Sequence, residues 1–594
     1  MDLYLNVPER IFDLLPKYEK EFGPDKVMLA GKENGKWRPY TISETIEIVD
    51  AISLFLLDAG IKKDDKIALA SRNCPEWNFI DWAIQQVGAI PVPLYPTISS
   101  EDYVYDLNHS EAKMLFIYGG DIYHKLHPLK DQFQFIKQVI SIRPTEGLTD
   151  LLQVIQIGKE KGDRALLQAA KAAVSKDDIA SIIYTSGTMG TPKGVMLTHH
   201  NMSSNIMNLD VLFPADRNTV LFSYLPLSHI FEHEVVLAFM NLGASVHYAE
   251  SMGSIVNDIG EVKPTIFDSI PRLIEKFHAR MLLTGSKMKG LKKKIFFWAI
   301  NLGYRYDECN QNSLFYELKR KIADKLVYRK LRDIFGGNVR FIIVGGAAIQ
   351  PRLAKLFTAM GIPIMEGYGL TETSPVIAVN SPVTKKIKIG TVGVPLQNLS
   401  VKISNEGEIL VNGPSVMRGY YKDPEQTAQA IDKDGYFHTG DRGIIDKEGF
   451  LKLTGRIKEI FKTSMGKYVS PSLVENKLLE SPFINSAVVV GEGQKFAAAL
   501  VIPDFEQLRE WCARQQIAYS SDADMIKEKD IVKKIRDEIN VCNQSLGEYE
   551  RVMRFELLPS EWSLDKGEIT GTLKVKRAVI TEHYKDLIEN MFKE

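Results

Sequence analysis

The chain has 594 residues, 45% of them apolar and 25% charged, the balance of a folded protein with several cores and not of a disordered or fibrous one. Its 74 lysines and arginines against 75 aspartates and glutamates create no overall field for nucleic acid or membrane, so any such attraction must be local. Four cysteines without zinc or disulfide spacing, residues 1–5 without a signal-peptide pattern, and no apolar run of about 18 residues predict a cytoplasmic protein that spans no membrane.

In chain order, the first predicted element is a helix over 41–60: Thr41 and Glu44 form a capping box, Ile46, Val49 and Leu57 lie near one face, and Gly60 closes it. Residues 67–70 follow as a short buried strand. Further apolar runs at 220–222, 244–248, 265–270 and 340–344 alternate with helical stretches. That alternation predicts a layered α/β architecture with largely parallel sheets. Beyond Asp441, residues 443–453 read as a hairpin turning on 446–449. A boundary at Lys458 divides an N-terminal domain, 1–457, from a C-terminal domain, 458–594, with strands of its own at 486–490 and 497–502.

After the apolar run 179–183 comes Tyr184-Thr185-Ser186-Gly187-Thr188-Met189-Gly190-Thr191-Pro192-Lys193-Gly194. Hydroxyls, glycine N–H groups free of side-chain bulk and one balancing lysine are what a polyphosphate needs. Thr185, Ser186, Gly187, Thr188, Thr191 and Lys193 are the candidate ligands. The loop is not a Walker A loop, because the position five after Gly187 is Pro192.

This loop resembles the phosphate-binding signature of the adenylate-forming superfamily. Further segments are similar to that superfamily's motifs in the same order: Leu225-Pro226-Leu227-Ser228-His229, Gly345-Gly346-Ala347-Ala348, Glu366-Gly367-Tyr368-Gly369-Leu370-Thr371-Glu372-Thr373, Thr439-Gly440-Asp441, Gly455-Arg456-Ile457-Lys458-Glu459 and Thr572-Leu573-Lys574-Val575-Lys576-Arg577. The resemblance runs from about residue 40 to the end. It implies an acyl-CoA synthetase-like fold, with a large N-terminal domain of layered sheets and helices and a small mobile α+β C-terminal domain.

It also implies roles. Thr371 and Glu372 offer hard oxygens for Mg²⁺ bound between protein and phosphates. Tyr368 stacks on adenine beside Gly367, with Glu366, Gly346 and Ala347 in the same nucleotide site, while Asp441 accepts hydrogen bonds from the ribose and Arg456 supports it. His229 reads as a gate between acid and CoA sites rather than a base, with a structural histidine as the alternative. Lys458 is the implied hinge, and Gly466 permits close passage of the pantetheine arm of CoA. Lys574 resembles the catalytic lysine, in surroundings like the Thr-Leu-Lys-Val-Lys-Arg ending of long-chain acyl-CoA synthetases. Lys576, two residues on, leaves the register open.

A segment over about 278–338 resembles the helical insertion of those long-chain enzymes. From Lys287 to Arg332 it has thirteen basic and four acidic residues, with Leu291, Ile295, Trp298 and Leu302 at helical spacing. Two readings stay open: a basic amphipathic helix lying on an anionic membrane, or helices packed on the domain with a solvated basic face. The resemblance as a whole implies ATP-dependent ligation of a long-chain fatty acid to CoA through an acyl-adenylate. Loading of a carrier protein and an inactive nucleotide-binding homologue are the alternatives.

Overall fold

The computed structural model describes residues 7–185, 192–307, 312–563, 566–570 and 575–593. Of the candidate site residues, Ser186, Gly187, Thr188, Thr191 and Lys574 lie outside the described residues. The chain divides into two compact units: one of Met1–Val401, Val411–His438 and Lys447–Leu451, the other of Lys402–Leu410, Thr439–Asp446 and Lys452–Glu594.

The first unit contains the helix Ile42–Asp58, whose cap Thr41 accepts a hydrogen bond from the Glu44 N–H at 3.2 Å. The Glu44 carboxylate pairs with Arg38, so only half of the predicted capping box forms. Downstream lies a nine-stranded sheet whose central strands, Ser245–Tyr248, Val220–Ser223, Ile266–Ser269, Phe341–Val344 and Ile364–Gly369, run parallel. Phe341, Ile342, Ile343 and Val344 are all buried. An uninterrupted apolar run of this kind is what a parallel strand covered on both faces requires. These strands end at one edge, where Ser269 is in register with Val344 and Val344 with Glu366. Open parallel sheets place their ligands beyond such carboxyl ends.

A second, all-parallel sheet orders Ile90–Leu94, Lys66–Ala70, Ala112–Ile117, Gln138–Ser141 and Thr149–Asp150. A third is antiparallel, with Lys193–Thr198 between Ile179–Thr185 and Gly419–Tyr420.

In the insertion, helix Gly290–Gly303 turns Phe296, Ala299, Ile300 and Leu302 inward and leaves Leu291 and Trp298 exposed. The predicted face of Leu291, Ile295, Trp298 and Leu302 is therefore split. Residues 295–298 are apolar without a break, so helical spacing alone cannot choose which side meets the core.

In the second unit, strands Ile484–Val490, Ala497–Pro503 and Val552–Leu557 form one sheet. Ala497, Ala499 and Val501 pack with Val474, Leu478, Ile531 and Ile535. The alternate residues Ala498, Leu500 and Ile502 pack with Trp562, Ile580 and Met591. The two-residue period of a strand thus buries both faces under helices.

Candidate functional site

The residues flanking the predicted phosphate loop are fixed by pairing. Thr185 and Lys193 stand opposite each other in the antiparallel hairpin, and the second hairpin strand continues into a pairing of Val195 with Tyr420. Tyr420 links two candidate residues: the Lys193 ammonium lies 4.9 Å from its ring centre, and its hydroxyl donates to Glu372 Oε1 at 2.9 Å. Burial and the facing carboxylate push the Tyr420 phenol upward, which keeps it a donor. Glu372 lies in the single turn Thr371–Thr373. Thr373 Oγ1 donates to Pro375 O at 2.6 Å, and Met417 N–H donates to Glu372 O at 2.8 Å. Gly369 has to be glycine, because a Cβ there would lie 1.8 Å from Pro375 O.

The loop Gly345-Gly346-Ala347-Ala348 leaves the end of strand Phe341–Val344. It is tied to the neighbouring strand by Ile349 N–H, which donates to Glu366 Oε1 at 3.3 Å. Gly367 and Tyr368 follow in that strand, in register with Val379 and Ala378, and the Tyr368 side chain is largely buried. Gly346, Ala347, Glu366, Gly367 and Tyr368 are thereby gathered at one edge of the sheet.

His229 caps the helix Ile230–Asn241, its Nδ1 accepting the Phe231 N–H at 3.1 Å, which leaves the ring proton on Nε2. The turn before it is held by Asn73, which accepts from Leu227 N–H at 2.9 Å and donates to Leu225 O at 2.5 Å. The Phe231 ring lies against Gly345, 3.1 Å from where a Cβ would be. One residue on, the fully buried Glu232 accepts from Ser223 Oγ, and burial raises both its carboxyl and that of Asp268.

In the second unit Arg456 Nε contacts Asp441 Oδ1 at 3.0 Å, and Asp441 N–H donates to Thr439 Oγ1 at 3.1 Å. Lys458 is exposed in the turn after strand Leu451–Arg456. Gly466 is exposed in the turn between Phe461–Lys462 and Tyr468–Val469, with φ of +79°, a left-handed conformation that glycine adopts without strain. Arg577 anchors the chain three residues after Lys574. It makes two bonds to Glu475, at 2.7 and 2.8 Å, and one to Val489 O at 2.9 Å. Lys576 N–H donates to Glu568 O at 2.8 Å.

The family described as AMP-binding enzyme matches residues 19–421, and the AMP-binding enzyme C-terminal domain matches 458–594. The chain is 33% identical to the long-chain-fatty-acid–CoA ligase FadD15 of Mycobacterium tuberculosis, over 99% of this chain and 97% of the relative. The chain belongs to the AMP-binding enzymes, in the long-chain fatty-acid–CoA ligase family. It is also 28% identical to human long-chain-fatty-acid–CoA ligase 1, over 94% of this chain and 82% of that protein. Among solved structures, the anthranilate CoA ligase AuaEII in complex with anthranoyl-AMP superposes with a TM-score of 0.74 at 18% identity, covering 99% of each chain. A fatty acyl CoA synthetase of Mycobacterium tuberculosis does so at 0.60 and 19%, covering 98% of this chain and 99% of that one. At those identities the likeness is one of fold, the α/β adenylate-forming fold with a large N-terminal and a small C-terminal domain.

Sequence reasoning missed Tyr420 and Asn73 in the first unit and, in the second, Glu475 as the partner of Arg577. Each acts on a partner far away in sequence, and of these three only Tyr420, in the aromatic pair Tyr420-Tyr421 ahead of the helix cap Asp423, gave a local signal.

Burial pushes the Glu366 carboxyl up to about 8. From the ordinary value of 4.5 up to about 8 the unfolded chain is ionised while the folded one keeps its proton. Stability is therefore lost as pH rises through that window. Glu366→Gln is expected to be more stable than wild type by a margin growing about 1.4 kcal/mol per pH unit between pH 5 and 8. Urea unfolding of the nucleotide-free protein reads this; parallel pH profiles would mean that Glu366 is ionised when folded.

Proposed function

We propose that the protein ligates a long-chain fatty acid to CoA with ATP, through an acyl-adenylate. A fatty-acid carboxylate oxygen attacks the α-phosphorus, the bond to the bridging oxygen breaks, and pyrophosphate leaves. The thiol of CoA then attacks the acyl carbonyl: a C–S bond forms, the C–O bond to AMP breaks, and the thiol proton goes to water. The observation that carries the reading is the joining of Lys193 to Glu372 through Tyr420, beside the hairpin that holds the phosphate loop. The names of the full-length relatives support the acid and the acceptor.

The first step brings two anions together, so the site must neutralise charge as it develops. Lys193 does this from the phosphate side and Lys574 where carboxylate and α-phosphate meet. Tyr368 and Gly367 hold adenine, and Asp441, oriented by Arg456, holds the ribose. Mg²⁺ suits this donor set: it takes one or two carboxylates together with substrate phosphates, and no cluster of three or more metal-binding side chains occurs among the described residues. Glu372, with the Thr371 hydroxyl, would hold it, and when bound it offsets phosphate charge. His229, its Nδ1 occupied as a cap acceptor, acts as a gate and not as a base. The C-terminal domain turns about Lys458 between the steps, bringing Gly466 past the pantetheine arm.

The test is product formation from palmitate, ATP and CoA. AMP, pyrophosphate and palmitoyl-CoA are expected together, with acyl-adenylate but no thioester when CoA is omitted. ATP consumed to ADP, or thioester formed only on a carrier protein, would overturn the reading.

A further inference from the structure

The insertion presents an apolar surface that its own sequence pattern concealed. Helix Leu314–Ala323 continues through a π-helical turn, Asp324–Tyr328. Along it Leu314 is 92% exposed, Phe315 65%, Leu318 56%, Ile322 46% and Leu326 47%. Leu314, Leu318, Ile322 and Leu326 are four apart, so in an unbroken α-helix the row would drift by about 40° at each step. The wider π turn rotates the chain less per residue and returns Leu326 toward the line of the others.

The opposite face locks this orientation. Tyr316 Oη donates to Leu302 O at 3.0 Å, Tyr328 Oη to Ala299 O at 2.6 Å and Arg332 Nη1 to Met360 O at 2.6 Å, while Ala323, Val327 and Tyr328 are buried. Turning the stripe inward would break all three bonds. A fixed row of large apolar side chains in water marks an interaction surface.

Its charge identifies the partner. Lys321 and Lys325 are exposed beside the row, and the Lys319 ammonium lies 4.2 Å from the Phe315 ring centre. Both carboxylates of this helix and turn are already engaged, Glu317 by Arg320 and Asp324 by Arg332. A second copy would set lysines against lysines, whereas an anionic bilayer answers both features: acyl chains for the stripe and headgroups for the lysines. No described helix is long and apolar enough to cross a membrane, so contact of this kind is interfacial.

We propose that the Leu314–Leu326 stripe docks the protein on the surface of an anionic lipid bilayer, the phase in which a long-chain fatty acid partitions. The rationale rests on the fatty-acid reading above, but the docking is read without ATP or CoA.

The experiment is co-sedimentation of the full chain with phosphatidylcholine vesicles, with and without phosphatidylglycerol. Wild type is expected to bind the anionic vesicles, less as salt rises. Leu314→Ser/Leu318→Ser/Ile322→Ser and, separately, Lys319→Gln/Lys321→Gln/Lys325→Gln are each expected to lower partitioning about tenfold or more. Both variants should keep the wild-type circular dichroism, thermal midpoint and turnover of detergent-dispersed palmitate. Unchanged vesicle binding in the apolar variant overturns the proposal. So does equal binding of wild type to neutral vesicles, or a wild-type dimer that the apolar variant splits, which would make the stripe a contact between copies. Vesicle binding with no ligase turnover would instead remove the proposed function and leave the docking surface standing.

Discussion

Lys574→Ala is expected to lose about 10² to 10³ of the rate of acyl-adenylate formation, the usual effect of removing one positive interaction from a charge-rich transition state. Lys574 belongs to the segment that matches the C-terminal domain, while the phosphate loop belongs to the segment matched as AMP-binding enzyme. On the proposed mechanism it would serve adenylation only while that domain is closed over the nucleotide, and its charge would not be needed once the domain had turned to admit CoA. The same variant, supplied with synthetic palmitoyl-adenylate and CoA, is therefore expected to make thioester at close to the wild-type rate. Lys458→Pro should show the converse, since fixing φ in the turn after strand Leu451–Arg456 hinders rotation more than it harms the closed site. Arg577 makes the comparison informative, because its two bonds to Glu475 hold the chain just after Lys574 whichever side chain stands at 574. Equal losses in both half-reactions for Lys574→Ala, with folding intact, would end this division of labour. A selective defect in Lys576→Ala instead would move the catalytic position by two residues and keep the mechanism.

Legibility in the sequence followed the range of each interaction. Thr41 was readable as a cap because its partner, Glu44, is three residues away. The parallel strands were readable because burial on both faces demands runs such as Phe341 to Val344. Lys193 and Glu372 could each be picked out by chemistry, yet their link through Tyr420 could not. It depends on pairing Gly419–Tyr420 with Lys193–Thr198, more than two hundred residues earlier, and nothing local encodes that pairing. Asp441 and Arg456 were nominated together as nucleotide ligands, but nothing local predicts the ion pair that the structure places between them. The insertion was hardest to read. Helical spacing reports that apolar residues share a face, but not whether that face meets a core or water. Gly290–Gly303 and Leu314–Ala323 both have the spacing, and only the second turns its row outward.

Chain length should dominate the choice of acid, with palmitate exceeding octanoate in kcat/KM by about 10² or more. Each buried methylene contributes about 0.8 kcal/mol, roughly a factor of four. The eight additional methylenes of palmitate would give about 6 kcal/mol if all were buried, and ordering the flexible tail cancels roughly half. The Phe231 ring against Gly345 and Ile270 near Gly346 give the loop after strand Phe341–Val344 apolar neighbours, and on the proposed reading a polar or very short acid would gain little from such surroundings. Because the tail lies away from the reacting carbonyl, it binds ground and transition states alike, and the gain should fall on KM with kcat nearly constant. Acids of two to twenty carbons, kept below micelle formation and assayed for CoA-dependent AMP release, would show this. Higher kcat/KM for acetate or an aryl acid than for palmitate would refute the substrate assignment. A gain that appeared in kcat instead would mean that tail binding is spent on closing the site over the carboxylate.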